Sequence, residues 1–546
     1  MTRDTAAAVV DALAAAGTPL LTGVPGGGPN LDVVGAAAAA GLPFVLAHGE
    51  TAAAITAAAC ADLTGAPGAV VVTRGPGLAS AVNGIAHAAL DRLPLVVIAD
   101  SVPAADAARV SHQRLDQAAL GRSVAKAVVT VGAARTGGAA RHAVRLALAP
   151  PAGPVIVTVD TTAPSTRPGR PISPEAGHDL GPLADALARA RRPAVLLGTG
   201  AFAHTGAVRA ALAGSGIPAL HTYRARGILP DSGGEAAGLI TGGTMEWPVL
   251  AAADLIIGLG VDPAEMIPAA WAYQAATLLV TETAAVSAAT AGPGGDGSWF
   301  TGATGLVAPL PAALALIADR AGRHSWPPGA GRLARERAAR ALRNAATAGR
   351  GLLAPQEVAA AVRAAAPAQA IAAVDAGAHM LAVMPLWEVD EPHRLLISSG
   401  LATMGYALPA AIGAALSAPG TPVIAFTGDG GLGMTLMEIE TAVRLRLQVI
   451  VVVLNDSSLS LIKIKQQPAG HGGPEAVDYT PVSFAGAAAA LGAAAQAVTS
   501  VPALRGAVAG ALRREGPTVI DARVDPAAYP AILDLTRGAA GRRPLL

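Results

Sequence analysis

Charge is scarce in this chain of 546 residues. Asp, Glu, Lys and Arg make up 14% of it and nearly cancel, leaving a formal net charge of +1. Such a balance gives no electrostatic basis for holding nucleic acid or an anionic membrane. Cysteine is almost missing too. Cys60 stands alone, so no internal disulfide can form, which fits a reducing cytoplasm. No apolar run approaches the ~20 residues of a spanning helix, the 449–454 run being far shorter. The beginning, MTRDTAAAVVDALAAAG, reads as an amphipathic helix with acidic Asp4 and Asp11. It lacks the basic start, uninterrupted apolar stretch and cleavage site of a signal peptide.

What is present is apolar: hydrophobic residues are 52% of the chain, many of them alanine, which suits large cores of closely packed helices and excludes global disorder. The length favours about three domains. Composition divides the chain accordingly, into residues 1–162, 177–325 and 353–546. The first ends in a strand-like run at 154–159, followed by a Pro/Ser/Thr-rich linker at 161–178. The second has buried-strand candidates at 194–197, 218–221 and 255–259, and an Arg/Ala-rich helical stretch at about 318–352 leads to the third. Short apolar strands alternating with helical stretches predict an α/β fold of three domains, with parallel sheets flanked by helices. The first and third share a plan: AVVVT runs into Gly75-Pro76-Gly77, a helix and LPLVVIAD, while PVIAFT runs into Gly428-Asp429-Gly430, a helix and QVIVVVLND.

The strongest local signal is TGDGGLG at 427–433. Its glycines fit the G-x-G-x-x-G turn of dinucleotide-binding folds, but Asp429 stands where a pyrophosphate would approach and would repel it unless a cation lay between. Mg²⁺ commonly bridges carboxylate and phosphate oxygens, and glycines before a helix N-terminus offer close N–H groups to an anion. A second oxygen ligand is expected from the end of the next strand, where Asn455-Asp456 lies 27 residues after Asp429. Such a pair also serves as an ordinary turn or cap.

With GDGG and LND on the page, the chain resembles the thiamine-diphosphate-dependent enzymes that include acetolactate synthase, pyruvate decarboxylase, benzoylformate decarboxylase and benzaldehyde lyase. The resemblance covers about residues 5–530. It implies pyrimidine-binding, central and diphosphate-binding domains in that order, with thiamine diphosphate and Mg²⁺ as cofactors. Asp429, Asp456 and the Ser458 carbonyl would be metal ligands, Asp456 replacing the family's usual Asn. DAGAH (375–379) is similar to a diphosphate loop, placing Ala376, Gly377, Ala378 and His379 at the phosphates together with Gly428, Gly430, Gly431 and Ser460. SSGLATMGYALPAAIGAAL (398–416) resembles the segment that holds the pyrimidine. There the Ala402 carbonyl would accept from the 4′-amino group, and Met404 would support the bent cofactor.

From the first region, the match through TGxPGxVVVTxGPG implies that Glu50 bonds N1′ of the pyrimidine. That contact favours the imino tautomer that takes the C2 proton, a role suited to a buried glutamate. Thr51 is a candidate cap of the same helix. Pro25, Gly26, Pro76 and Ser80 would face the cofactor. HQRLDQAALGRSVAK (112–126) is similar to the synthases' segment with an oxyanion-stabilising glutamine, here Gln113, which would otherwise be an ordinary surface-helix glutamine, and His112 beside it is placed at substrate selection. Lys463, Lys465 and His471 are candidates for a substrate carboxylate or simply face solvent. The central segment GVDPAEM departs from the flavin pattern of acetolactate synthases, which leans against FAD.

The expectation is an acetolactate synthase-like carboligase that decarboxylates a 2-oxo acid and transfers the acyl carbanion to a second carbonyl. The alternatives are a 2-oxo acid decarboxylase or C–C lyase, with His48, His87, His112 or His471 as proton donor, and a catalytically silent homologue. The resemblance further implies a homodimer or homotetramer with active sites between subunits.

Overall fold

The computed structural model of the chain describes residues 3–106, 108–132, 134–160, 164–166, 179–267, 271–283, 286, 300–345, 348–349, 351–469 and 473–538. His471 and, apart from 164–166, the linker at 161–178 lie outside the described residues. Three six-stranded parallel sheets carry the fold. The first contains β1 (Leu21–Val24), β2 (Phe44–Leu46), β3 (Gly68–Val72), β4 (Leu95–Asp100), β5 (Ala127–Val131) and β6 (Val155–Val159), in the order β2-β1-β3-β4-β6-β5. The second contains β7 (Pro193–Leu197), β8 (Ala219–His221), β9 (Ala236–Leu239), β10 (Leu255–Leu259), β11 (Ala276–Thr281) and β12 (Thr304–Val307), in the order β12-β11-β10-β7-β8-β9. The third contains β13 (Ile371–Val374), β14 (Leu395–Ile397), β15 (Val423–Gly428), β16 (Val449–Asn455), β17 (Ala494–Val498) and β18 (Thr518–Arg523), ordered β14-β13-β15-β16-β18-β17.

The first and third sheets therefore have the same strand order, the shared plan anticipated from their turns. The second has the doubly wound order, with its switch point between β7 and β10. Central strands such as VIVVVLN are buried along their whole length because helices cover both faces, which is why they read as unbroken apolar runs rather than alternating ones. The Arg/Ala-rich stretch forms a surface helix over Ala330–Arg343, whose inner face, with Ala334, Ala338 and Leu342, is buried while Arg332, Glu336, Arg340 and Arg343 face solvent.

Two alanine-rich helices join the first and third sheets. Glu50–Thr64 packs on Ala407–Ser417 so closely that a Cβ on Gly413 would lie 2.5 Å from the Thr56 carbonyl oxygen. The Thr56 hydroxyl donates to the Pro409 carbonyl (3.0 Å), and the Cys60 thiol donates to that of Gly413 (3.5 Å). No helix of the described residues is long and apolar enough to cross a membrane.

Candidate active site

In a parallel sheet the loops leaving the carboxyl ends of adjacent strands share one edge. In the third sheet these loops wall a cavity of about 510 Å³. After β13 come Ala376, Gly377, Ala378 and His379; after β14, Ala402 and Met404; after β15, Gly428, Asp429, Gly430 and Gly431; after β16, Asp456, Ser458 and Ser460. Every cofactor- or metal-site residue proposed from this region thus lines one space, while Lys463 does not and His471 lies outside the described residues. Its floor is bare backbone: a Cβ on Gly430 would lie 2.8 Å from Leu459 and 3.2 Å from the Met404 methyl. His379 is buried, its Nε2 has no hydrogen-bond partner, and burial lowers its imidazole to about 4, so the ring is neutral.

Asp429 and Asp456 converge as the adjacent strand ends require, with Gly428 in register with Leu454. Asp429 accepts from the N–H groups of Gly430 (2.7 Å) and Ser458 (3.1 Å), while the Ser460 hydroxyl donates to Asp456. Burial raises both carboxyls; Asp456 is pushed up to about 7, with the Asp429 charge contributing. Two carboxylates sharing a buried site favour a cation between them. Among the described residues no cluster of three or more His, Cys, Asp or Glu could hold a metal, so a cation here would draw further ligands from backbone, water or a bound anion. That donor set fits Mg²⁺. Asn455 turns away from it, donating to Asp521 (2.9 Å) and to the Val482 carbonyl (3.1 Å).

The first sheet assembles the other residues on its own carboxyl edge, outside that cavity. Pro25 and Gly26 follow β1, Glu50 follows β2, Pro76 and Ser80 follow β3, and His112 and Gln113 follow β4. They form one patch. Gly26 abuts Thr73, a Cβ on Gly77 would lie 3.3 Å from Glu50 Oε1, and the Gln113 backbone packs on Gly75. In the single chain this patch is open: Pro76, Ser80, His112 and Gln113 are exposed, and Glu50 is half-buried rather than buried.

Several local readings need correction. Thr51 does not cap its helix: Gly49 holds that position, and the Thr51 hydroxyl donates to the Ser80 carbonyl (2.5 Å). Gln113 precedes the helix Gln117–Val124 and takes a left-handed turn conformation, φ 55°. His87 is buried, 1% exposed, behind the cavity wall, where it bonds Asp91 and the wall residue Ser398 without lining the cavity itself, and Lys463 is paired with Asp478. The sequence also missed wall residues: Tyr223, Glu265, Tyr529 and Arg537 line the same cavity as Lys465.

At the switch point of the second sheet the chain fills the strand-end N–H groups with its own carboxyl group. Glu265 accepts from the N–H groups of Thr199 (3.0 Å) and Asp262 (3.1 Å) and from the Thr222 hydroxyl (2.5 Å). Burial pushes its carboxyl up to about 7 against those hydrogen bonds.

Comparison with known proteins agrees with this division. Residues 3–120 match the thiamine pyrophosphate enzyme N-terminal TPP binding domain, and residues 375–522 match the C-terminal TPP binding domain. The chain is 30% identical to an acetolactate synthase of Bacillus subtilis, over 95% of this chain and 92% of that protein. It is 27% identical to a 2-hydroxyacyl-CoA lyase of Oryza sativa, over 94% of each. Its fold is similar to that of a thiamine diphosphate-dependent 4-hydroxybenzoylformate decarboxylase from Rhodococcus jostii, with TM-score 0.80 and 21% identity over 95% of this chain and 99% of the other.

Proposed function

The chain belongs to the thiamine pyrophosphate enzyme family, and from that premise we propose that it is a carboligase joining the fragment left by a decarboxylated 2-oxo acid to a second carbonyl compound. The observation that carries the reading is the convergence of four loop ends and the Asp429–Asp456 pair on one cavity. Asp429, Asp456 and the Ser458 carbonyl hold Mg²⁺. Ala376, Gly377, Ala378, His379, Gly428, Gly430, Gly431 and Ser460 hold the diphosphate, and Ala402 and Met404 hold the pyrimidine.

Thiamine diphosphate, once bound, supplies the electron sink for cleaving and forming bonds beside a carbonyl. The chain's own groups do the rest. Glu50 holds or releases a proton at N1′ of the pyrimidine. The Gln113 amide donates to oxygen where negative charge develops, and His112 selects the substrate. Pro25, Gly26, Pro76 and Ser80 flank the pyrimidine. Because Glu50 lies outside the cavity of its own chain, a second copy supplies it, making the active unit a dimer or a pair of dimers.

Ligation is favoured over simple decarboxylation by Gln113, an amide placed where the synthases carry theirs, and by the 30% identity to an acetolactate synthase. The Glu265 carboxylate on the Thr199 and Asp262 N–H groups supports leaving FAD out of the cofactor set.

Calorimetric titration of thiamine diphosphate with Mg²⁺ into apo-protein tests the cofactor assignment. Saturable, Mg²⁺-dependent binding that vanishes in Asp429→Ala is expected; no binding by folded wild type overturns the reading. Product analysis with 2-oxo acids follows. A 2-hydroxyketone or 2-hydroxy-2-alkyl acid is expected, and free aldehyde matching the released CO₂ would replace ligation by decarboxylation.

A further inference from the structure

The loop at 398–406, which presents the Ala402 carbonyl and Met404 to the cavity, is held at both ends by buried carboxylates from two different domains. At its far end, Asp375 accepts from the N–H groups of Gly405 and Tyr406, both at 3.1 Å. At its near end the carboxylate is Asp91, which closes the helix Pro76–Leu90 of the first domain. Asp91 accepts from the N–H groups of Gly400 (2.8 Å) and Ser399 (3.2 Å). His87 reaches both Asp91 (2.9 Å) and the Ser398 hydroxyl (3.0 Å), and that hydroxyl accepts from the Thr403 N–H (3.3 Å).

The loop lies directly on this helix end: a Cβ on Gly400 would sit 2.5 Å from that of Leu90 and 3.0 Å from its carbonyl carbon. Between the two clamps Ala402 has φ 51°, a left-handed conformation that an L residue keeps only when its surroundings impose it. The second domain joins through Arg224, which donates to the Asp91 carbonyl oxygen (2.6 Å) and pairs with Asp62 (3.0 Å). Burial alone would raise the Asp91 carboxyl, but Arg224 and His87 more than offset it and hold it below the usual range, so it is ionised.

We infer that Asp91 is a positioning residue that holds the 398–406 loop, and with it the left-handed Ala402, in the conformation that receives the cofactor's pyrimidine. The inference rests on the reading of that loop given above. Asp91 does not line the cavity. It acts by keeping the loop's binding-competent conformation populated, so its loss raises the apparent dissociation constant by the inverse of the fraction still competent. Losing charge-assisted hydrogen bonds of about 1.5–3 kcal/mol corresponds to roughly 10- to 100-fold.

The test compares Asp91→Asn, Gly400→Ala and Asp62→Asn in the full-length protein. Asp62→Asn breaks the other ion pair of Arg224 and leaves the loop's hydrogen bonds intact. Asp91→Asn and Gly400→Ala should each weaken thiamine diphosphate binding by roughly 10- to 100-fold, while kcat at saturating cofactor stays within about threefold of wild type. Asp62→Asn should lower Tm without moving the dissociation constant. Amide exchange at Ser399 and Gly400 in the apo-protein should accelerate in Asp91→Asn and not in Asp62→Asn. Unchanged binding and exchange in Asp91→Asn, or equal effects in Asp91→Asn and Asp62→Asn, overturn the inference. Failure of wild type to bind the cofactor instead overturns the cofactor reading, and the exchange experiment still decides the role of Asp91 in holding the loop.

Discussion

The first and third sheets are built to one plan and finished differently. Each uses the loops after the same four adjacent strands: β2, β1, β3 and β4 in one, β14, β13, β15 and β16 in the other. In the third, the turn after β15 carries Asp429, the neighbouring strand end carries Asp456, and a walled cavity results. In the first, the corresponding turn carries Pro76, the neighbouring loop carries Gln113, and the residues lie on an open face with Glu50 half-buried. On the function proposed above, the third edge would bind the cofactor and the first would complete the site of a second copy, one scaffold supplying both halves.

Mixing subunits would break or confirm that pairing with the largest effect. Glu50→Gln and Asp429→Ala, each inactive alone, should recover about a quarter of wild-type activity when co-expressed, because half of a random mixture is heterodimer with one intact site of two. No recovery would mean that both halves act within one chain. The same two substitutions sharpen the contrast in binding. Asp429→Ala should abolish cofactor binding in calorimetry, whereas Glu50→Gln should retain it within about tenfold and lower kcat by roughly 10²- to 10⁴-fold, the usual size of a lost proton-transfer group.

A third measurement addresses what joins the two sheets. Gly413→Ala forces a methyl against the Thr56 carbonyl, and overpacking of this kind costs about 1–3 kcal/mol, so thermal unfolding should shift down. Alanine at Gly206, where nothing crowds the added carbon, is the control. The smallest effect belongs to the middle sheet. Glu265 titrates above its ordinary range, so the protonated form is favoured by the fold. Its stabilising contribution is complete below about pH 4.5 and is lost as pH rises toward 7. Glu265→Gln should flatten the dependence of Tm on pH across that interval.

The parts legible in the sequence were those written by local demands. Unbroken apolar runs announced buried parallel strands, and glycines flanking a carboxylate announced the tight turn after β15 that lines the cavity. Because strand ends share an edge, Asp429 and Asp456 could be brought together before any contact was seen, whereas the residues after β13 and β14 came only from the family resemblance. What escaped has a common cause: the partners are distant in sequence. Asp91 and Gly400 are 309 positions apart, and Arg224 lies 133 from Asp91. Tyr223, Glu265 and Arg537 reach the cavity from segments whose composition carries no mark of it. The alternative of a surface-helix position for Gln113 fails because it lies in a left-handed turn packed on Gly75, before the helix begins. Likewise Thr51 gave up the cap because its hydroxyl found the Ser80 carbonyl across the fold.

The solitary thiol gives the seam between the outer sheets a built-in reporter. Cys60 is 1% exposed, faces Gly413, and is pushed up to about 11 by burial, so a thiol-specific dye has neither access nor thiolate to react with while the two helices stay together. Since the chain has no other cysteine, labelling would be a count of opening events at that one place. Slow labelling of wild type and faster labelling of Gly413→Ala would turn the packing of two alanine-rich helices into a measured rate.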